Sequence, residues 1–172
     1  TMIGKTISHY KIIRKIGAGG RGIVYKAEDL DLKRTVALKF ISPHLADNKE
    51  DLESLYREAR SASKVNHHNI TTIYEIGHSG KHDFIAMEYL DGETLKEKIK
   101  RESLQLENIL DISSEILNGI KIAHENNLIH RDIKSENVMI TKSGSVKVMD
   151  FGLARSLERE NVTKVSTTLG TI

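Results

Sequence analysis

The chain has 172 residues, 38% of them hydrophobic and 29% charged, the make-up of one soluble globular domain and not of a disordered or fibrous chain. Its formal charge of +2 is too small to point to nucleic acid or an anionic membrane as the main partner, and no apolar run approaches the length of a membrane span. Without cysteine there is no disulfide framework and no thiolate metal site, which fits a reducing, cytoplasmic setting for this segment.

The first third alternates with period two. "YKIIRKI" (10–16), "GIVYKAED" (22–29) and "RTVALKFI" (34–41) are rich in Val, Ile and Tyr and separated by Gly-rich or charged turns, which predicts three antiparallel strands. Pro43, the only proline, closes the third. In "NKEDLESLYREARSASKV" (48–65), Leu52, Leu55, Tyr56, Ala59 and Ala62 recur at helical spacing with charges on the other face. "ITTIYEIG" (70–77) and "DFIAMEYL" (83–90) flank a polar turn and read as a hairpin.

From about Asp91 the pattern turns helical. Thr94 and Glu97 form a capping-box pattern in "GETLKEKIK", and Ile109, Ile112, Ile116, Ile120 and Ala123 line one face of a long helix. Two short strand-like pieces, "NVMI" and "SVKVMD", then bracket the turn "TKSG". A β-rich part, residues 1–90, therefore precedes a mainly α part, 91–172.

Gly17, Gly19 and Gly22 stand in the spacing G-x-G-x-x-G, which two unrelated nucleotide-binding folds use. A dinucleotide site requires a helix directly after the glycines and an acid about 20 residues further on. Here Ile23, Val24 and Tyr25 favour a strand, and Lys39 stands near where the acid belongs. A strand–loop–strand with glycines at its tip instead frees backbone amides to approach phosphate oxygens. Lys39, on "VALK", then needs a counter-ion if it is held inward, and Glu58 lies close to the apolar face of the following helix.

"IHRDIKSENVMI" and "VMDFGLAR" follow in order. With them the sequence resembles the eukaryotic-type Ser/Thr protein kinases, most of all their bacterial members, from Ile12 to Ile172. The resemblance implies an α+β, protein-kinase-like fold: a β-rich N-lobe with one helix and an incomplete, mainly α C-lobe. It also implies ATP and Mg2+ (or Mn2+) as cofactors and protein Ser/Thr hydroxyls as acceptors.

Roles follow motif by motif. The backbone of Gly17, Ala18, Gly19, Gly20 and Gly22 would cover the phosphates, and Lys39, oriented by Glu58, would contact them. Asp132 would take the acceptor's proton, Lys134 would neutralise charge on the moving phosphoryl group, and Asn137 and Asp150 would hold the metal. Val24 and Ala37 would form the adenine roof and Met139 its floor, with Met87 as gatekeeper and the backbone of Glu88 and Leu90 reading the adenine edge. Ser135 stands where the family usually has proline, and Arg21 where a small or apolar residue is usual. His130 is expected to be packed beneath Phe151, not to ligate a metal. His67 and His68 lack a second cluster at metal-ligand spacing.

In the family the arginine before the catalytic aspartate, here Arg131, pairs with a phosphorylated activation loop. Thr163, Ser166, Thr167 and Thr168 are the candidate autophosphorylation sites, Thr163 first by position. The sequence ends at Ile172, before the A-P-E element the resemblance implies. A fragment is therefore expected, self-associating or marginally stable because "ILDISSEILNGIKIAH" would lack its usual cover. The alternative to a working kinase is an ATP-binding but catalytically weak interaction module.

Overall fold

The computed structural model describes residues 2–19 and 22–151. Six strands form one antiparallel sheet: β1 (Thr6–Ile7), β2 (Tyr10–Gly19), β3 (Gly22–Asp29), β4 (Arg34–Ile41), β5 (Ile73–Ser79) and β6 (His82–Glu88). Their spatial order is β1-β2-β3-β4-β6-β5. The inward residues of the alternating runs make its core: Tyr10, Ile12, Tyr25, Ala27, Val36, Leu38, Phe40, Phe84 and Ala86. Phe84 is fully buried, edge-on to Tyr10. Its ring occupies the space beside Gly77, its cross-strand partner, where a Cβ would lie 2.2 Å from the ring.

Between β4 and β5 run α1 (Pro43–Asp47) and α2 (Lys49–Ala62). Pro43 closes β4 as expected but also opens α1, a position where its missing N–H is no loss. The Asn48 carboxamide oxygen accepts from the amides of Glu50 and Asp51 to cap α2. The helix buries Leu55, Ala59 and Ala62, so the predicted apolar face is the one that packs.

A second sheet of three antiparallel strands, β7 (Gly92–Thr94), β8 (Val138–Thr141) and β9 (Val146–Val148), follows the first after Glu88. Thr94 begins α3 (Leu95–Arg101) with both halves of the expected capping box. The long helix α4 (Leu106–Glu125) buries only Gly119 and Ala123. Ile112, Ile116 and Ile120 are half-buried and Ile109 is exposed, so the predicted stripe is only partly covered. Strands β1 and β7 and helix α1 were not expected from the sequence; two or three residues of strand, or five of helix, carry too little periodicity to be read.

Residues 69–72 tie the two sheets together. The Val148 amide donates to the Asn69 carbonyl at 2.8 Å, the Thr71 amide to the Val148 carbonyl at 3.0 Å, and the Glu88 amide to the Thr72 carbonyl at 2.9 Å. The Asn69 carboxamide also donates to Glu115 on α4 and to the Val146 carbonyl. An apolar cluster of Ala62, Val65, Ile70, Ala123, Leu128, Val148 and Phe151 fills the junction.

Candidate active site

A cavity of about 570 Å³ opens between the sheets, lined by Gly17, Ala18, Gly19, Gly22, Val24, Lys39, Thr94, Lys134, Glu136, Asn137 and Asp150. Strands β2 and β3 form its roof. At Gly22, φ is +137° and a Cβ would fall 1.8 Å from the Phe40 carbonyl oxygen, so only glycine lets the loop turn into β3. Gly17 and Gly19 line the cavity; a Cβ at Gly19 would meet nothing within 4 Å, and one at Gly17 only the Val24 Cβ at 3.9 Å. Gly20 lies outside the described residues.

Lys39 is buried at 6% exposure, and its Nζ donates to Asp150 Oδ1 at 2.7 Å. Glu58 reaches the same side of the fold from α2, where its Oε1 lies 3.5 Å from Arg131 Nη1. Arg131, expected from the resemblance to pair with a phosphorylated loop, has Glu58 on α2 as a partner here. The loop positions Thr163, Ser166, Thr167 and Thr168 lie outside the described residues.

The catalytic-loop residues converge. Lys134 Nζ donates to both Asp132 oxygens, at 3.0 and 2.8 Å. Asn137 Nδ2 donates to the Asp132 carbonyl at 2.8 Å and to its Oδ2 at 3.2 Å, which turns the amide oxygen elsewhere. Arg131 and Asp150 have φ of +66° and +59°, left-handed conformations that cost non-glycine residues about 1–3 kcal/mol each and concentrate at functional sites. His130 accounts for part of the restraint. It is almost fully buried, its Nδ1 accepts from the Asp132 amide, and its Nε2 donates to the Met149 carbonyl at 2.7 Å. Its ring meets Phe151 edge-on at 4.6 Å, and burial pushes its pKa below the ordinary value.

Of the residues expected around the adenine, Val24 lines the cavity, while Ala37, Met87, Glu88, Leu90 and Met139 lie outside its lining. Ala37 and Met87 are cross-strand partners, and Met87 borders a separate gap of about 20 Å³ beside Phe151. Two lining residues went unread in the sequence. In the sequence Thr94 reads only as a helix cap, whereas Glu136 adjoins Asn137 in "DIKSEN" and its position there is the signal for it. Lys96 donates to Glu136 at 2.6 Å and holds that carboxyl below its ordinary pKa.

No group of three or more His, Cys, Asp or Glu that could hold a metal occurs among the described residues. The Asn137 amide oxygen and the Asp150 carboxylate nevertheless suit Mg2+, which takes hard oxygen donors and often only one or two from protein beside phosphate oxygens.

The Protein kinase domain family matches residues 10–172. The chain belongs to that family. It is 42% identical to the serine/threonine-protein kinase PrkC of Bacillus subtilis, over 99% of this chain and 27% of PrkC. To the probable serine/threonine-protein kinase PknB of Lactococcus lactis it is 36% identical, over 99% of this chain and 28% of PknB. A crystal structure of a single-residue mutant of the Mycobacterium tuberculosis PknI kinase domain superposes with a TM-score of 0.79 at 29% identity, covering 88% of this chain and 62% of that one. The chain thus spans less than a third of these two relatives and less than two thirds of the solved domain. The protein-kinase-like α+β fold expected from the motifs is the fold observed.

Proposed function

We propose that this chain carries the ATP site and catalytic groups of a protein kinase that transfers the γ-phosphoryl group of ATP to Ser or Thr hydroxyls of proteins. One observation carries the reading: Lys39, Lys134, Asn137 and Asp150 face a single cavity beneath a glycine loop, with Asp132 held at its edge by Lys134 and Asn137. The lobes divide near residue 90, where one sheet ends and the other begins. The glycine-loop amides receive the phosphates, and Lys39 exchanges part of its contact with Asp150 for phosphate oxygens. Asp132 accepts the proton of the acceptor hydroxyl as its oxygen bonds to the γ-phosphorus, and ADP departs with the electrons of the broken bond. Lys134 stands beside the same carboxylate and offsets charge on the phosphoryl group in flight. Asn137 and Asp150 would hold the metal, which supplies neutralisation of phosphate charge when bound.

Incubation with radiolabelled Mg-ATP and a general protein acceptor tests this reading. The chain is expected to label the acceptor and Asp132→Asn to abolish labelling; equal signals from both would overturn it. Phosphopeptide mapping of the labelled chain is expected to find Thr163, Ser166, Thr167 or Thr168 modified, and an active chain with all four bare would remove autophosphorylation.

A second reading is favoured by α4, where Leu106, Leu110 and Leu117 are 69%, 60% and 64% exposed. An apolar face of this kind suits association, so the chain would bind ATP yet transfer weakly and pair with another protein surface. Light scattering distinguishes them: a monomer with full transfer excludes this second reading. Among the described residues no helix is long and apolar enough to cross a membrane, which says nothing of β-barrels.

A further inference from the structure

Strand β9, which leads to Asp150, is linked to the last residue of the first sheet by an ion pair that the phosphoryl-transfer scheme leaves unused. Lys147 on β9 donates from Nζ to Glu88 Oε2 at 2.7 Å, with side chains only 14% and 25% exposed. The same oxygen accepts from the Thr72 amide at 3.3 Å, and the Glu88 amide donates back to Thr72. Thr71, one residue earlier, donates to Val148, the neighbour of Lys147. The result is a closed ring: Glu88, residues 71–72, Val148, Lys147 and back to Glu88. One end of the ring is the segment expected to read the adenine edge. The other lies three residues before Asp150, and across the ladder from Lys147 stands Met139, the expected adenine floor.

We propose that Glu88 and Lys147 are positioning residues that fix the adenine end of the nucleotide site relative to Asp150 at its phosphate end. The inference rests on the nucleotide-site reading above. Neither side chain lines the cavity, so the pair acts through the backbone to which each is attached. A partly buried, charge-assisted hydrogen bond anchored by a backbone amide is stiffer than a surface pair, and removing either partner leaves the other charge poorly compensated. Its loss would let the two ends drift. A ligand touching only the adenine end would hardly notice, whereas one spanning both ends would lose pre-organisation.

Calorimetric affinities for adenosine and for Mg-ATP, measured on this chain, test it. Lys147→Met and Glu88→Gln are each expected to weaken Mg-ATP about five-fold while adenosine changes less than about two-fold, the scale of one such bond. The two variants change net charge in opposite directions, so a mere field effect on the phosphates would shift their Mg-ATP affinities oppositely. Lys147→Arg is expected to retain affinity, and the double variant to be no worse than either single one. Opposite shifts, no shift, or equal losses for adenosine and Mg-ATP together with a lower Tm would each overturn the proposal. A parent chain that binds neither ligand would instead end the nucleotide-site reading, and this inference with it. Normal parent binding with unaffected variants would remove only the pair's role.

Discussion

Strand β4 and the segment 128–151 both flank the cavity, but they are held in place by opposite means. From Val36 to Ile41 every residue of β4 is buried, and all but Lys39 are apolar. In the later segment the buried positions include His130 and Asn137, two non-glycine residues hold left-handed backbone, and side-chain hydrogen bonds fix the geometry. Apolar area stabilises the first region without regard to direction. The second is directional, aimed at the cavity, and carries strain. Lys39 is where the two meet: a cation set in the apolar strand whose partner, Asp150, belongs to the polar segment.

Substitutions should therefore separate stability from chemistry. The largest effect is expected from Asp132→Asn, which should reduce phosphoryl transfer by about a thousand-fold, the range of a lost general base, with Tm nearly unchanged. A parallel collapse of Tm would show that the polar segment also holds the fold. Phe84→Ala should do the converse, lowering unfolding stability by about 3–5 kcal/mol in denaturant titrations while the residual folded fraction still binds nucleotide. Next comes Thr94→Ala. It removes half of a capping box and also touches the cavity, so about 1 kcal/mol should be lost and nucleotide affinity should shift as well. A loss of stability alone would return Thr94 to a purely helical role.

The smallest effect concerns acid. His130 is held neutral in the fold, so below its ordinary pKa of 6.5 the unfolded chain binds more protons than the folded one. The stability it contributes is complete above that value and declines as pH falls below it, until the depressed folded-state pKa is passed. Urea midpoints from pH 7.5 to 5 should show this decline, and His130→Asn should flatten it. An identical slope in the variant would assign the acid response elsewhere.

Much of this was legible in the sequence because the informative patterns were local. Period-two runs gave β2 to β6 to within a few residues, helical spacing gave the buried face of α2, and Thr94 with Glu97 gave the start of α3. The ordered motifs predicted Lys39, Asn137 and Asp150 around one cavity. The pairings that cross the fold were not legible. Glu58 with Arg131, Asn69 with Glu115, and Glu88 with Lys147 join residues far apart in the chain, and nothing in local periodicity couples them. Helix α4 failed differently: its stripe was read correctly as apolar, but periodicity reports the face, not what covers it.

The Gly77–Phe84 contact has a bearing on how the first sheet assembles. Strand β5 is bulged between Ile73 and Glu75, so its alignment with β6 is not forced by backbone regularity alone. The ring of Phe84 fits opposite a residue with no side chain, whereas a slip by one position would set Ile76 or His78 against it. The missing carbon at position 77 thus works as a proofreading notch, admitting one alignment of the hairpin and rejecting its neighbours on either side.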